Sequence, residues 1–397
     1  MKTNPIKTLN TQNTPIHIRL WHADFWCLVV ADLLLTVAAY ILIPVMPRWL
    51  IETENFSPVE TGLSMGAFGL GLYLLGAQCS WLVQRYRRNQ VCMWAIAALI
   101  ADVMLLVYFD HQCTEFVSLW MILAQRLLLG AAFGLAQMVL SSTLIIDTCE
   151  SNMRTEANHN AAWFARFALS LGPMAGLLVL SALGYTSVWW ASAASAAAAL
   201  VLIRRVNFPF RAPEEDVHVA SLDRFLLPRG YVLFVNLLPV STVMGLLLTL
   251  TLAPEFYGLM MGGFLLALLA QRFVFRDAEL KSEVISGQIL LTAALLIMLA
   301  HPATPLAPVL VGLGMGIISA RFLLFFIKLS RHCKRGTSHS TFFLGWETGM
   351  ALGLGMGYAL CYEQRDTLLY ICLALIAASL LMYHLYTHSW FMSHKNR

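Results

Sequence analysis

The sequence predicts an all-α membrane protein, with twelve transmembrane helices in two six-helix, pseudo-symmetric bundles. Three observations lead there: a composition poor in charge, a run of span-length apolar stretches, and basic residues gathered on one side of them. Of 397 residues, 59% are hydrophobic and 12% charged, with mean hydropathy +0.69. A globular chain carries about 25% charged residues. A coat that thin cannot cover a soluble surface, which excludes a cytosolic enzyme, a secreted disulfide module and a disordered chain.

A helix needs about 20 mostly apolar residues to cross a bilayer. Such stretches fall at 23–46, 59–83, 91–109, 117–146, 158–182, 186–206, 230–251, 255–274, 284–301, 305–329, 339–361 and 367–389. The first follows Lys2, Lys7 and Arg19. It is span-length and lacks a small-residue cleavage site, so it is expected to stay as a helix and not to act as a signal peptide. The longest polar stretch contains Arg211, Glu214, Glu215, Asp216, Asp223, Arg224 and Arg229. It divides the chain into an N-terminal bundle (1–206), a cytoplasmic central loop (207–229) and a C-terminal bundle (230–397).

Lysine and arginine placement sets the orientation. With the N-terminus in the cytoplasm, 21 basic residues lie inside and only Arg48 and Arg365 outside, while Arg126, Arg166 and Arg321 fall within spans. Basic residues are retained on the cytoplasmic side, so both termini are expected there. The expected location is the inner (cytoplasmic) membrane if the chain is bacterial. Trp21, Trp26, Trp189, Trp190 and Trp390 lie near span ends, as interfacial anchors do.

Other motifs read blandly. The eight cysteines form no CxxC pair and are expected to pack as small apolar residues. His384 and His388 are four apart but gain no third ligand type, so no metal site is expected. No GxxxxGK[ST] loop is present, which removes ATP as an energy source by that route.

The two halves echo each other. Shifted by 187 residues, Gly71, Leu72, Gly76, Leu82, Gln84 and Arg85 fall on Gly258, Leu259, Gly263, Leu269, Gln271 and Arg272. Shifted by 181, Arg154, Leu171, Gly172 and Gly176 fall on Arg335, Leu352, Gly353 and Gly357. An even number of spans per half makes the repeat parallel, about an axis along the membrane normal.

Three motifs carry a resemblance. Span four contains Arg126-Leu-Leu-Leu-Gly130, and span five contains Gly172-Pro173-Met-Ala-Gly176. The loop after span two reads Ser80-Trp-Leu-Val-Gln84-Arg85-Tyr86-Arg87-Arg88. With twelve spans and a central loop, the chain resembles the major facilitator superfamily. The span-four motif is similar to the family's RxxxG, and the span-five motif to the GPxxG core of its drug and metabolite:proton antiporters. The loop resembles the GxxxDRxGRR signature only in part: Ser80, Gln84 and Arg87 stand where the family has glycine, aspartate and glycine. The resemblance implies alternating access, with spans one and four side by side around a cavity between the halves.

Gly345, Gly349, Gly353 and Gly357 make three consecutive GxxxG steps, a seam for close helix approach. Pro173 lacks an N–H and is expected to bend span five. Charges inside spans are costly, which makes each a functional candidate. Asp32 and Arg126 each lie about nine residues into their spans, roughly 13 Å deep at 1.5 Å per residue. They are expected at nearby depths, where they could pair. Arg166 and Glu347 coincide under the 181 shift, and Glu347 is expected to point away from the glycine seam. Arg321 is a candidate for meeting an anionic group, Lys328 is expected to snorkel, and Asp102 to serve packing.

The expected function is secondary active transport of a small organic solute by alternating access, through proton-coupled efflux. The alternative is proton-coupled uptake of an organic anion; a non-transporting membrane enzyme or receptor is the reading from another class. Asp32, Arg126, Arg166, Glu347 and Arg321 are the proton or substrate candidates. Gln84, Arg85, Arg88, Gly130, Gly172, Pro173 and Gly176 are the gate and motif candidates. The expected partners are a small-molecule substrate and the lipid bilayer. A monomer is expected, with no nucleic acid, cofactor or catalytic residue and the proton gradient as energy source. Gln84 leaves Arg85, Arg87 and Arg88 without an acid in their own loop, so the central-loop acids Glu214, Glu215 and Asp216 are expected to serve them. The inward-facing state is expected to dominate.

Overall fold

The computed structural model describes residues 20–112, 117–150, 153–208, 218–250, 252–275, 279–301, 304–331 and 334–396. All regular structure among them is helical. In the first half, α1 (Ala23–Tyr40) ends where Pro44 and Pro47 interrupt the chain, and a short α2 (Met46–Glu52) follows. Next come α3 (Pro58–Leu74), α4 (Cys79–Arg85), α5 (Arg88–Asp110) and α6 (Leu119–Val139). A π-helical turn, Leu140–Leu144, joins α6 to α7 (Ile145–Asp147). The half closes with α8 (Arg154–Leu183) and α9 (Tyr185–Arg205). The second half runs α10 (Tyr231–Leu247), α11 (Pro254–Phe273), α12 (Leu280–Ala300), α13 (Leu306–Leu329), α14 (Arg335–Cys361) and α15 (Arg365–Met382). After a second π turn comes α16 (His388–His394).

Ten of these helical stretches are long and apolar enough to cross a membrane, and α3 with α4, bent by 50°, adds an eleventh. The twelfth is α14, 27 residues long. Its apolar character is diluted by Ser338, His339, Ser340, Thr341 and Glu347, all of which are buried inside the protein. A helix whose polar groups turn inward can span without exposing them to lipid. The protein therefore has twelve transmembrane helices.

Helix neighbours repeat. In the first half α1 packs on α8 and α9, α3 on α6, and α5 on α6 and α9. In the second half α10 packs on α14 and α15, α11 on α13, and α12 on α13 and α15. Glycines make the close approaches in both. A Cβ on Gly172 would lie 2.7 Å from Tyr40 Cβ of α1, and one on Gly353 would lie 2.2 Å from the Thr242 carbonyl of α10. These two glycines stand 181 residues apart, the spacing of the repeat. The 187 register does not carry into the packing: Gly71 approaches Gly130, whereas in the second half Gly263 approaches Gly312. Gly71 thus corresponds to Gly263, and the reason is the break between α3 and α4, which takes up residues that the continuous α11 does not.

The halves meet along two seams, α3 on α14 and α8 on α11. Helix α8 runs unbroken through Pro173. Of the tryptophans, Trp21, Trp26 and Trp190 are exposed, but Trp189 is fully buried, edge-on to Trp49 at 5.7 Å. It is core rather than an anchor.

One end of the bundle gathers Arg85, Arg88, Arg154, Arg204, Arg205, Arg272 and Arg335 at helix termini. This is the basic end.

Candidate functional site

A cavity of about 60 Å³ lies between the halves, about midway along the helices. From α1 it receives Asp32, Thr36 and Tyr40, from α6 Gln137, and from α8 Arg166. From the other half come Ser319 of α13 and His339, Phe342, Phe343, Trp346 and Glu347 of α14. The four-residue spacing of Asp32, Thr36 and Tyr40 puts them on one helix face. His339, Phe343 and Glu347 follow the same period on α14.

Arg166, Asp32 and Glu347 are almost wholly buried, with 6%, 3% and 3% of their surface exposed. The guanidinium of Arg166 is held on two sides. Its Nε donates to Ser319 Oγ at 2.7 Å, across the halves, and its carbon sits 4.7 Å from the Trp163 ring centroid. Nη1 and Nη2 make no hydrogen bond among the described residues. Tyr40 donates its hydroxyl hydrogen to Glu347 Oε1, also across the halves. Gln137 Nε2 donates to Thr36 Oγ1 at 2.8 Å, and Thr36 donates to the Asp32 carbonyl at 2.8 Å. Asp32 Oδ1 makes no hydrogen bond among the described residues. Neither carboxylate forms an ion pair with Arg166. A buried charge without a counter-charge costs several kcal/mol.

Three sequence candidates thus converge: Asp32, Arg166 and Glu347. Two do not. Arg126 does not reach Asp32, because Gln137, which bonds to Thr36 one turn above Asp32, lies eleven residues further along α6, roughly 16 Å at 1.5 Å per residue. Arg126 instead stacks 4.9 Å over Phe68, beside Asp102, which accepts from Gln125 at 2.7 Å. Arg321 is closed off by an ion pair with Glu283 of α12. Thr36, Tyr40, Gln137, Ser319 and His339 carry no charge that would single them out in the sequence, though the four-residue period through Asp32 marks two of them.

The motif glycines are spacers. A Cβ on Gly130 would lie 2.3 Å from the Phe68 carbonyl, and one on Gly176 would lie 2.4 Å from the Ile41 carbonyl. Pro173 is buried in α8 beside Gly172.

At the basic end, Arg88 forms a salt bridge with Asp147, at the end of α7. Glu214, Glu215 and Asp216, the central-loop acids expected to serve these arginines, lie outside the described residues. Arg85 lies over Trp81 at 5.4 Å. Gln84 Oε1 is buried with no hydrogen-bond partner among the described residues. The end of the central loop bridges both halves. Ser221 N donates to the Ala77 carbonyl at 2.9 Å, while Arg224 N and Leu227 N donate to Thr337 Oγ1 and Thr341 Oγ1 at 2.9 and 2.8 Å. Phe225 fills the space beside Gly76, whose Cβ would meet its ring at 2.1 Å. Burial, then the nearby Arg88 charge, lower the Arg224 guanidinium from its ordinary value. Trp163 of the first half packs with Ala267, Ile317 and Ala320 of the second. In this structure these contacts of the loop end and of Trp163 hold the two halves together at the basic end. At the opposite end, a gap of about 260 Å³ separates Pro44, Arg48 and Glu52 from Leu248, Tyr257 and Tyr358.

Residues 28–354 match the sequence profile of the Major Facilitator Superfamily. The chain belongs to that superfamily. It is a multi-pass membrane transporter and not an enzyme. Solved transporters share the fold. The nucleoside transporter NupG aligns over 91% of this chain and 100% of its own at 11% identity, with TM-score 0.65. The peptide transporter PepTSo, of the POT family, aligns over 94% and 99% at 12% identity, with TM-score 0.66. The human organic anion transporter TETRAN aligns over 91% and 98% at 14% identity, with TM-score 0.63. A search of curated proteins returns no match.

Proposed function

We propose that this transporter couples solute movement to protons, and that Asp32 and Glu347 are the groups that carry the proton. The observation behind this is the central cavity. Two buried carboxylates, one from each half, line it, and neither is paired with a cation among the described residues. A carboxylate charge there is costly unless water, an opposite charge or a bound proton meets it. Opening the cavity to one side or the other changes which of these is available. Proton binding is thereby tied to alternating access.

Export is the direction we favour. A solute group that competes with the proton for the same carboxylate is exchanged against it, so an inward proton gradient drives the solute out. A second reading, uptake of an organic anion together with a proton, draws on the open edge of Arg166. The basic end is proposed to face the cytoplasm, with both termini, and the working unit to be a monomer without a cofactor.

The test is reconstitution into liposomes with an imposed pH gradient and a solute chosen by a thermal-shift screen of metabolites and drugs. Solute flux should follow the gradient and move protons, and Asp32→Asn should abolish both. Gradient-independent flux without proton movement overturns the coupling.

A further inference from the structure

Which solute the cavity takes can be narrowed from its lining, on the reading that this cavity is the transport site. Arg166 offers a prepared anion-binding edge. Its Nε is fixed by Ser319 and its face by Trp163. What remains is the pair Nη1 and Nη2, both buried and neither bonded among the described residues. Two parallel N–H groups match the two oxygens of a carboxylate or similar planar anion, and a guanidinium held in place loses little freedom on binding one.

The same cavity offers a cation-binding atom. Asp32 Oδ1 is buried and makes no hydrogen bond among the described residues, and it lies on the α1 face that also carries Thr36 and Tyr40. Asp32 and Arg166 line one space yet do not form an ion pair with each other. A ligand carrying only a positive group would leave the guanidinium uncompensated, and one carrying only a negative group would do the same to the carboxylate. The third side is apolar and aromatic: Phe342 stacks with Trp346 at 6.3 Å, and Phe343 lies beside them.

We propose that the transported solute is amphoteric: a small molecule with an anionic group for Arg166, an ammonium or similar cation for Asp32, and an apolar body against the α14 aromatics. The cavity, about 60 Å³, is well below the roughly 150 Å³ of a protein cavity that holds benzene. The solute therefore enters when the halves part. Exchange against a proton follows, since the cationic group and the proton claim the same Asp32 oxygen.

The experiment is equilibrium binding to the purified full-length protein at neutral pH, with no gradient, so that its outcome is independent of whether transport is proton-coupled. Four probes of similar size separate the groups: L-phenylalanine, phenethylamine, 3-phenylpropionate and 2-phenylethanol. Phenylalanine should bind most tightly, and loss of either charged group should weaken binding about tenfold or more, the size of a charge-assisted hydrogen bond. Arg166→Gln should erase the difference between phenylalanine and phenethylamine. Asp32→Asn should erase the difference between phenylalanine and 3-phenylpropionate. The four-probe ranking on the unmodified protein needs no variant, and Arg166→Lys, which keeps the charge but not the fork, backs up a misfolded Arg166→Gln. The proposal is overturned by phenethylamine or 3-phenylpropionate binding as tightly as phenylalanine. It is equally overturned by no phenylalanine binding at millimolar concentration, or by folded variants that leave the ranking unchanged.

Discussion

Arg166 and Arg321 are both guanidiniums held among helices at the meeting of the two halves, and their neighbours give them opposite characters. Arg321 faces Glu283, whose side chain is 1% exposed, in an ion pair inside the second half. Arg166 faces Ser319, a tryptophan ring and the central cavity, and keeps two donors uncommitted among the described residues. The lesson is that a charge in a span is not itself a sign of transport chemistry. A charge satisfied within one bundle holds that bundle together. A charge left open between bundles can meet something that comes and goes. Arg126 is a third case, within the first half: its charge is met by the Phe68 face and by Asp102.

The largest effect that would sharpen this contrast lies in the cavity. Asp32→Asn, or Glu347→Gln, should reduce pH-driven transport to the level of empty liposomes while leaving thermal unfolding in detergent unchanged. Normal gradient-driven transport by both variants would remove the cavity from the mechanism. The converse holds for the ion pair. Glu283→Gln strands Arg321 and should destabilise the protein by about 3–5 kcal/mol, whereas the double change Glu283→Leu with Arg321→Met should restore stability, as apolar replacement of a buried pair does. Thermal melts decide it. A single Arg321→Met variant that melts normally but no longer transports would break the distinction between the two arginines.

A smaller effect belongs to the glycine seam. Gly353→Val brings side-chain atoms onto the Thr242 carbonyl, which would lie only 2.2 Å from the new Cβ, and should cost about 1–3 kcal/mol by overpacking. A melt unchanged by that substitution would show α10 and α14 to be looser than they are here. The smallest effect concerns the basic end. Because Arg88 already has Asp147, Gln84→Asp should barely move the distance distribution between spin labels at positions 87 and 334. Phe225→Ala, which empties the space beside Gly76, should broaden it toward longer distances. A large shift from Gln84→Asp alone would mean that the missing loop acid, and not the bridging segment, governs closure.

Much of this is legible in the chain. Apolar stretches and the lopsided basic residues determine how many helices cross and which end is basic, because lipid cannot solvate backbone or charge. The 181-residue echo places Arg166 and Glu347 at matching positions of α8 and α14, and both line the cavity. The spacing of glycines on α14 also puts Glu347 off the seam, as found: Gly349 and Gly353 approach α10 while Glu347 meets Tyr40. What the chain could not show is which charges meet. Depth along a helix fixes one coordinate only; rotation about the axis and the choice of neighbour fix the others. Asp32 and Arg126, placed at nearby depths by counting along their spans, lie well apart along the bundle, because the Gln137–Thr36 bond sets how α6 sits against α1. Arg321 is tied up by Glu283, a residue at the edge of its expected span, and Arg88 by Asp147, 59 residues further along the chain. Those pairings arise only when six helices pack into a bundle and two bundles close on each other, because a side chain's partner is set by long-range packing and not by its own sequence neighbourhood.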